Sequence, residues 1–151
     1  MTSAGLPKVL VVDDEGDIRE LLRATLARAG CALLFAGSGQ EALAVARREL
    51  PAVILLDVVM PDALGWDVLR ELKADPSTRP ARVLMLTGLA RKAVFKVAFE
   101  LGADGFLNKP FTPAEVLQRV QDLLKLSAKM AAAEALAEKE ESALSFLAKN
   151  G

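Results

Sequence analysis

Residues 53–62 read VILLDVVMPD, and this run sets the architecture of the chain. Four aliphatic residues in succession suit a strand covered on both faces, because a strand wet on one side alternates apolar and polar positions instead. Strands of that kind belong to parallel sheets flanked by helices. Asp57 ends the aliphatic run, and Met60-Pro61 breaks it soon after. A buried strand has no energetic use for a carboxylate, so the position of Asp57 marks a rim where the sheet meets solvent.

The same pattern recurs along the chain. The apolar runs are KVLVV (8–12), CALLFA (31–36), AVILL (52–56), RVLMLT (82–87) and DGFLN (104–108). Helical spacing of apolar residues fills the gaps between them. IRELLRATLARAG is read as ending at Gly30, and SGQEALAVARREL as starting on Ser38 as N-cap and ending before Pro51. LGWDVLRELKAD breaks near Asp75-Pro76, and RKAVFKVAFELG stops at Gly102. Thr112-Pro113-Ala114-Glu115 is a capping box with proline at the first helical position, and Val116, Leu117, Val120, Leu123 and Leu124 then form one apolar face. Strand followed by helix, five times over, predicts an α/β fold with a doubly wound, five-stranded parallel sheet and a long C-terminal helix. The first four runs predict strands covered on both faces. One domain is expected over 1–126 and a helical extension over 127–151.

Composition narrows the function. The 151 residues are 52% hydrophobic and 26% charged, as a globular chain should be. No run is long enough for a membrane span, and MTSAGLPK lacks the apolar core of a signal peptide, so the cytoplasm is the expected location. Cys31 alone cannot form an internal disulfide or a cysteine-built zinc site, and the absence of histidine removes the usual general base. A net charge of -1 and a pI near 5.6 leave no electrostatic footprint for nucleic acid, so neither direct nucleic-acid binding nor membrane attachment is expected.

Ligands in doubly wound sheets collect beyond the carboxyl ends of the strands. Asp13 and Asp14 follow the first run, Asp57 the third, Thr87 the fourth and Lys109 the fifth. Three carboxylates, a hydroxyl and an ammonium are thus delivered to one edge. Clustered carboxylates repel unless a cation lies among them, and Mg²⁺ favours carboxylates, carbonyls and water.

Taken in order and spacing, VVDDE, LLDVVMPDALGWD, MLTG and FLNKPF resemble the receiver domain of two-component response regulators, over about residues 6 to 126. The resemblance implies the flavodoxin-like strand order 2-1-3-4-5. It implies that Asp57 accepts a phosphoryl group from a phosphohistidine on a sensor histidine kinase or phosphotransfer protein. Asp14, Asp57 and the backbone carbonyl of Val59 would bind Mg²⁺ (or Mn²⁺) directly, with Asp13 acting largely through water. Lys109 would pair with the phosphoryl oxygens, Thr87 would move to hydrogen-bond one of them, and Phe106 would turn inward with it. Pro110 would follow a cis peptide. Val59 and Leu89 flank the attacking water in this resemblance; with both aliphatic, slow loss of the phosphoryl group is expected, and Val59→Asn should speed it.

Each of these residues has a local reading too. Asp13 and Asp14 suit a helix N-terminus, Asp57 could cap the next turn, Lys109 could simply be solvated, and Thr87 is an ordinary strand-end residue. Glu15 suits either the metal's surroundings or a helix start. Asp62 and Gly65 are read as serving the turn into the third helix. Phe106, Trp66, Met60 and Met85 suit packing, and Cys31 suits a small buried hydrophobe opening the second strand. A metal-dependent aspartyl-phosphate hydrolase also places an aspartate after a strand, but it would want a second acid where Val59 stands and a substrate cap. The chain is therefore expected to catalyse only its own phosphorylation and dephosphorylation.

The last 25 or so residues, SAKMAAAEALAEKEESALSFLAKN onward, are rich in helix formers, and no DNA-binding or enzymatic domain follows, which points to a stand-alone regulator. Leu123, Leu126, Met130, Ala133, Ala137, Glu140, Leu144 and Leu147 follow a heptad seam weakened by Glu140 and two alanines. The helix could pair two copies, fold back over its own domain, dock on a partner, or stay solvated. A downstream protein target is expected without being named, and a constitutive dimer or scaffold driven by the helix is the competing reading.

Overall fold

A period of two along each strand divides the side chains between two cores. A computed structural model of the protein describes residues 5–88 and 92–150, so the reading placed on Leu89 lies outside the described residues. The element order is β1 (Lys8–Val12), α1 (Gly16–Leu26), β2 (Ala32–Ala36), α2 (Gly39–Glu49), β3 (Val53–Asp57), α3 (Gly65–Ala74), β4 (Arg82–Thr87), α4 (Lys92–Glu100), β5 (Gly105–Asn108) and α5 (Pro113–Asn150). All strand pairs are parallel and the sheet order is β2-β1-β3-β4-β5. Leu10, Ile54, Leu56, Val83 and Met85 pack beneath α2, α3 and α4. Val9, Val11, Val53, Leu55, Leu84 and Leu86 pack beneath α1 and α5 on the other face. The fold is the doubly wound sheet that the aliphatic runs predict, in the flavodoxin-like strand order that the resemblance implies.

The expectation of four doubly covered strands fails for one. β1, β3 and β4 are buried almost throughout, whereas in β2 only Ala36 is fully buried. β2 is an edge, and aliphatic residues there are only half covered; Arg23 lies over the Phe35 ring at 4.1 Å and shields part of it. Cys31 likewise lies just before the strand, half-buried, with burial pushing its thiol pKa up.

Local signals placed most helix ends. The Ser38 side chain accepts from the Glu41 amide, and Leu50 closes α2 in the left-handed region. Ala103 N–H reaches Ala98 O and Gly102 N–H reaches Phe99 O, with Gly102 at φ +103, so α4 ends on a glycine in the conformation that residue favours. α1 stops sooner than Gly30, at Leu26, and a short turn spans the difference. At α5, Thr112 accepts from the Glu115 amide at 3.2 Å, while its hydroxyl donates to the Glu115 carboxylate at 3.1 Å. The Lys109–Pro110 peptide is cis.

The apolar face of α5 buries Val116 and Val120 and half-buries Leu117, Leu123 and Leu124. Beyond it the helix continues as one piece to Asn150. Residues 128–150 are exposed, so the helix does not fold back over its own domain. Its large apolar residues there, Met130, Leu136, Leu144, Phe146 and Leu147, are each 44% or more exposed.

Candidate functional site

The sheet order brings β1, β3, β4 and β5 side by side, and their carboxyl ends share one rim. Asp57 is the last residue of β3, opposite Leu86 of β4, with Thr87 the next residue along. Thr87 is the buried last residue of β4; its carbonyl accepts from the Lys109 amide at 2.8 Å, which places the lysine directly beyond β5. Asp13 and Asp14 leave β1 on the other side of Asp57.

The side chains converge. One carboxylate oxygen from each of Asp13, Asp14 and Asp57 lies within 4.8 Å of the others. Lys109 Nζ donates to Asp13 Oδ2 at 2.9 Å and to Asp57 Oδ2 at 3.2 Å. Asp13 is fully buried, Asp57 nearly so, and Asp14 exposed. Burial, with the adjacent charge of Asp13, raises the Asp57 carboxyl pKa despite Lys109 and the Val59 amide. Burial acts to lower the Lys109 ammonium, but its bonds to Asp13 and Asp57 outweigh this and hold it above the ordinary lysine range.

Three carboxylates facing one ammonium leave negative charge in excess, and every donor is a hard oxygen. The Val59 carbonyl takes no hydrogen bond among the described residues, while its amide donates to Asp57 Oδ1 at 3.3 Å. The set fits Mg²⁺ or Mn²⁺, to which Asp13, Asp14, Asp57 and the Val59 carbonyl would contribute. Phe106 is buried, edge-on to Phe95 (ring centroids 4.7 Å apart) and Phe99 (5.5 Å), on the β5–α4 side of the rim.

Other residues shape the rim, and Gly65 does so from the entry to α3, where the sequence reading placed it. Gly65 N donates to Val58 O at 2.6 Å, and any Cβ there would collide with the Asp57 carbonyl oxygen; only glycine allows α3 to start so close to β3. Asp62 does not serve α3 as expected. Its carboxylate accepts from the Gly39 and Gln40 amides at 3.0 and 3.2 Å, capping α2 across 23 residues, and those bonds lower its pKa. Glu15 flanks α1 without a side-chain cap and donates its amide to Asp13 Oδ1 at 3.0 Å. Arg19 Nη1 donates to the Asp13 carbonyl at 2.7 Å.

Residues 9–121 match the response regulator receiver domain family. Among curated proteins, the chain is 37% identical over 123 residues to the "Probable transcriptional regulator ycf27" of Pyropia yezoensis (82% of this chain, 49% of that protein). It is 41% identical over 120 residues to the alkaline phosphatase synthesis transcriptional regulatory protein PhoP of Bacillus subtilis (80% and 49%). The chain thus spans about half the length of these relatives. Among solved structures, the Vibrio cholerae chemotaxis protein CheY4 superposes with a TM-score of 0.75 at 34% identity, over 79% of this chain and 99% of that one.

Proposed function

The chain belongs to the response regulator receiver domain family of two-component signalling, and on that premise we propose that Asp57 is its phosphoacceptor in a Mg²⁺-dependent switch. The observation that carries this is the meeting of Asp13, Asp14 and Asp57 around Lys109 at one rim. An Asp57 carboxylate oxygen attacks the phosphorus of a phosphohistidine, forming an O–P bond as the P–N bond breaks and the imidazole leaves. Such a transfer asks the protein for alignment and charge neutralisation. Bound Mg²⁺ supplies positive charge to the equatorial oxygens. Lys109 exchanges its bond to Asp57 for one to a phosphoryl oxygen, and the Thr87 hydroxyl takes another.

The donor is a histidine kinase or phosphotransfer protein, and the chain catalyses only its own phosphorylation and dephosphorylation. The added charge of about -1.5 to -2 shifts an equilibrium between two arrangements of the β4–α4–β5–α5 face, with Phe106 as its packing element. That face then binds a downstream protein. The receiver unit is assigned to 1–126 and the helical extension to 127–151. The receiver family supports a cytoplasmic assignment; no helix among the described residues is long and apolar enough to cross a membrane. With Val59 more than half exposed beside Asp57 and offering nothing to orient water, the phosphoryl group should be long-lived, and Val59→Asn should shorten its life.

A second reading, a constitutive dimer or scaffold built by α5, is favoured by Leu136, Leu144, Phe146 and Leu147, each 60% or more exposed. One experiment separates the two. The full chain is incubated with acetyl phosphate or beryllofluoride and Mg²⁺, then followed by intact mass and sedimentation, beside Asp57→Asn. The switch reading requires a phosphoryl adduct absent from Asp57→Asn and an association state that responds to it. A dimer present in both proteins, with no adduct, favours the scaffold.

A further inference from the structure

Asp14 is the one exposed member of the carboxylate trio, and its side chain makes no hydrogen bond or ion pair among the described residues. Something other than its own contacts must therefore aim it. The six atoms of a peptide unit are coplanar, so fixing the Asp13 carbonyl fixes the direction in which the Asp14 amide and Cα leave. That carbonyl accepts Arg19 Nη1 at 2.7 Å. We infer that Arg19 is a positioning residue for metal binding: by pinning the Asp13–Asp14 peptide it holds the Asp14 carboxylate beside those of Asp13 and Asp57. The inference rests on the reading of this trio as a Mg²⁺ site.

Every other polar atom of Asp13 is also tied. Its amide donates to Ala36 O at 3.1 Å, Oδ1 accepts from the Glu15 amide at 3.0 Å, and Oδ2 accepts from Lys109 at 2.9 Å. Lys109 divides its ammonium between Asp13 and Asp57 and turns to a phosphoryl oxygen during transfer, so its tie to Asp13 is not a fixed one. Arg19 differs, since it holds a main-chain carbonyl that takes no part in the transfer.

The guanidinium is itself held in place. A Cβ added at Gly37 would lie 3.2 Å from Arg19 Nη1, and one at Gly16 would lie 3.7 Å from Nη2. Arg19 thus fills a slot between the β1–α1 and β2–α2 loops, and the second loop is stiffened by the bond from Gly37 N to Glu41 Oε2 at 3.1 Å. A long side chain anchored in the first turns of α1 and ending in a cationic donor spans this gap.

The test measures Mn²⁺ and Mg²⁺ affinity of the full chain by calorimetry, without any phosphodonor, for wild type, Arg19→Ala, Arg19→Lys and Gly37→Ala. Loss of a residue that orients a ligand weakens metal binding about 10- to 100-fold, and that loss is expected for Arg19→Ala. Arg19→Lys, which retains one donor, should recover most of it. Gly37→Ala, which crowds the guanidinium without removing it, should lose part. With acetyl phosphate, the Mg²⁺ concentration for half-maximal phosphorylation should rise by the same factor as the dissociation constant, while the rate at saturating Mg²⁺ stays unchanged. Unfolding in EDTA provides the control. A variant less stable than wild type but equal to it in metal affinity overturns the inference. If Arg19→Ala does not fold, unchanged affinity in both Arg19→Lys and Gly37→Ala overturns it as well. Wild type that binds no metal would instead remove the underlying reading of the trio.

Discussion

The rim of the sheet and the distal half of α5 lie on one chain and are held by opposite means. At the rim, Asp13, Asp57 and Lys109 come from positions 44 to 96 residues apart and lock together through partly buried bonds. Along residues 128–150 the backbone bonds are those within one helix, between residues four apart, and the side chains face solvent. The first region exists only because the whole domain is folded; the second draws little from the domain at all. Position in a helix or a strand therefore says nothing of how firmly a residue is held, whereas the separation of its partners does.

Hydrogen exchange should display this contrast most strongly. At concentrations where the chain is monomeric, amides of β1 and β3 should exchange only through global unfolding, and those of 131–150 through local fraying. The gap in protection should be at least on the order of a thousandfold, since isolated helices are marginal in water and global stability is typically about 5–15 kcal/mol. Equal protection in both regions would end the comparison. Leucine truncation comes next. Leu55→Ala, in the fully buried centre of β3, should cost about 2–5 kcal/mol in urea unfolding, and Leu144→Ala less than about 0.5 kcal/mol.

The rim itself should show what its charge does to stability. Because the Asp57 carboxyl is raised above its unfolded value, its ionisation opposes folding. That penalty is absent at low pH and grows as pH rises through the raised pKa. Asp57→Asn should therefore raise the melting temperature of the metal-free protein at neutral pH and lose that advantage in acid. Addition of Mg²⁺ should narrow or reverse the difference by favouring wild type. The smallest effect belongs to Asp62. Its pKa is depressed in the fold, so its contribution is present above the unfolded carboxylate value and disappears as the pH falls below it. Asp62→Ala should lower the melting temperature slightly at neutral pH and not at all in strong acid, as thermal scans across pH can establish.

Much of the fold could be read directly. Successive aliphatic residues at 53–56 and 83–86 implied double coverage, and β3 and β4 have it. The same reasoning overstated CALLFA, because whether a strand is central or at an edge depends on its neighbours in the sheet, not on its own residues. Of the site, Asp13, Asp14, Asp57 and Lys109 were legible because chemistry-bearing residues at strand ends stand out against apolar runs. Asp62 and Arg19 were not, and of Gly65 only its place at the entry to α3 was. Asp62 resembles an ordinary turn acid, Gly65 an ordinary helix-entry glycine and Arg19 a solvated helix cation; each owes its role to a partner on another element.

The amino-acid order alone was enough for the alternation of strands and helices, the caps at Ser38 and Thr112, and the acids and the lysine destined for the strand ends, since periodicity and end signals act over a few residues. Only the folded molecule decided that β2 lies at an edge, that Asp62 closes α2, that Gly65 must yield to the Asp57 backbone, and that α5 runs clear of the body. Those outcomes depend on which surfaces meet across the sheet, and such meetings involve residues too far apart along the chain for any local pattern to record them.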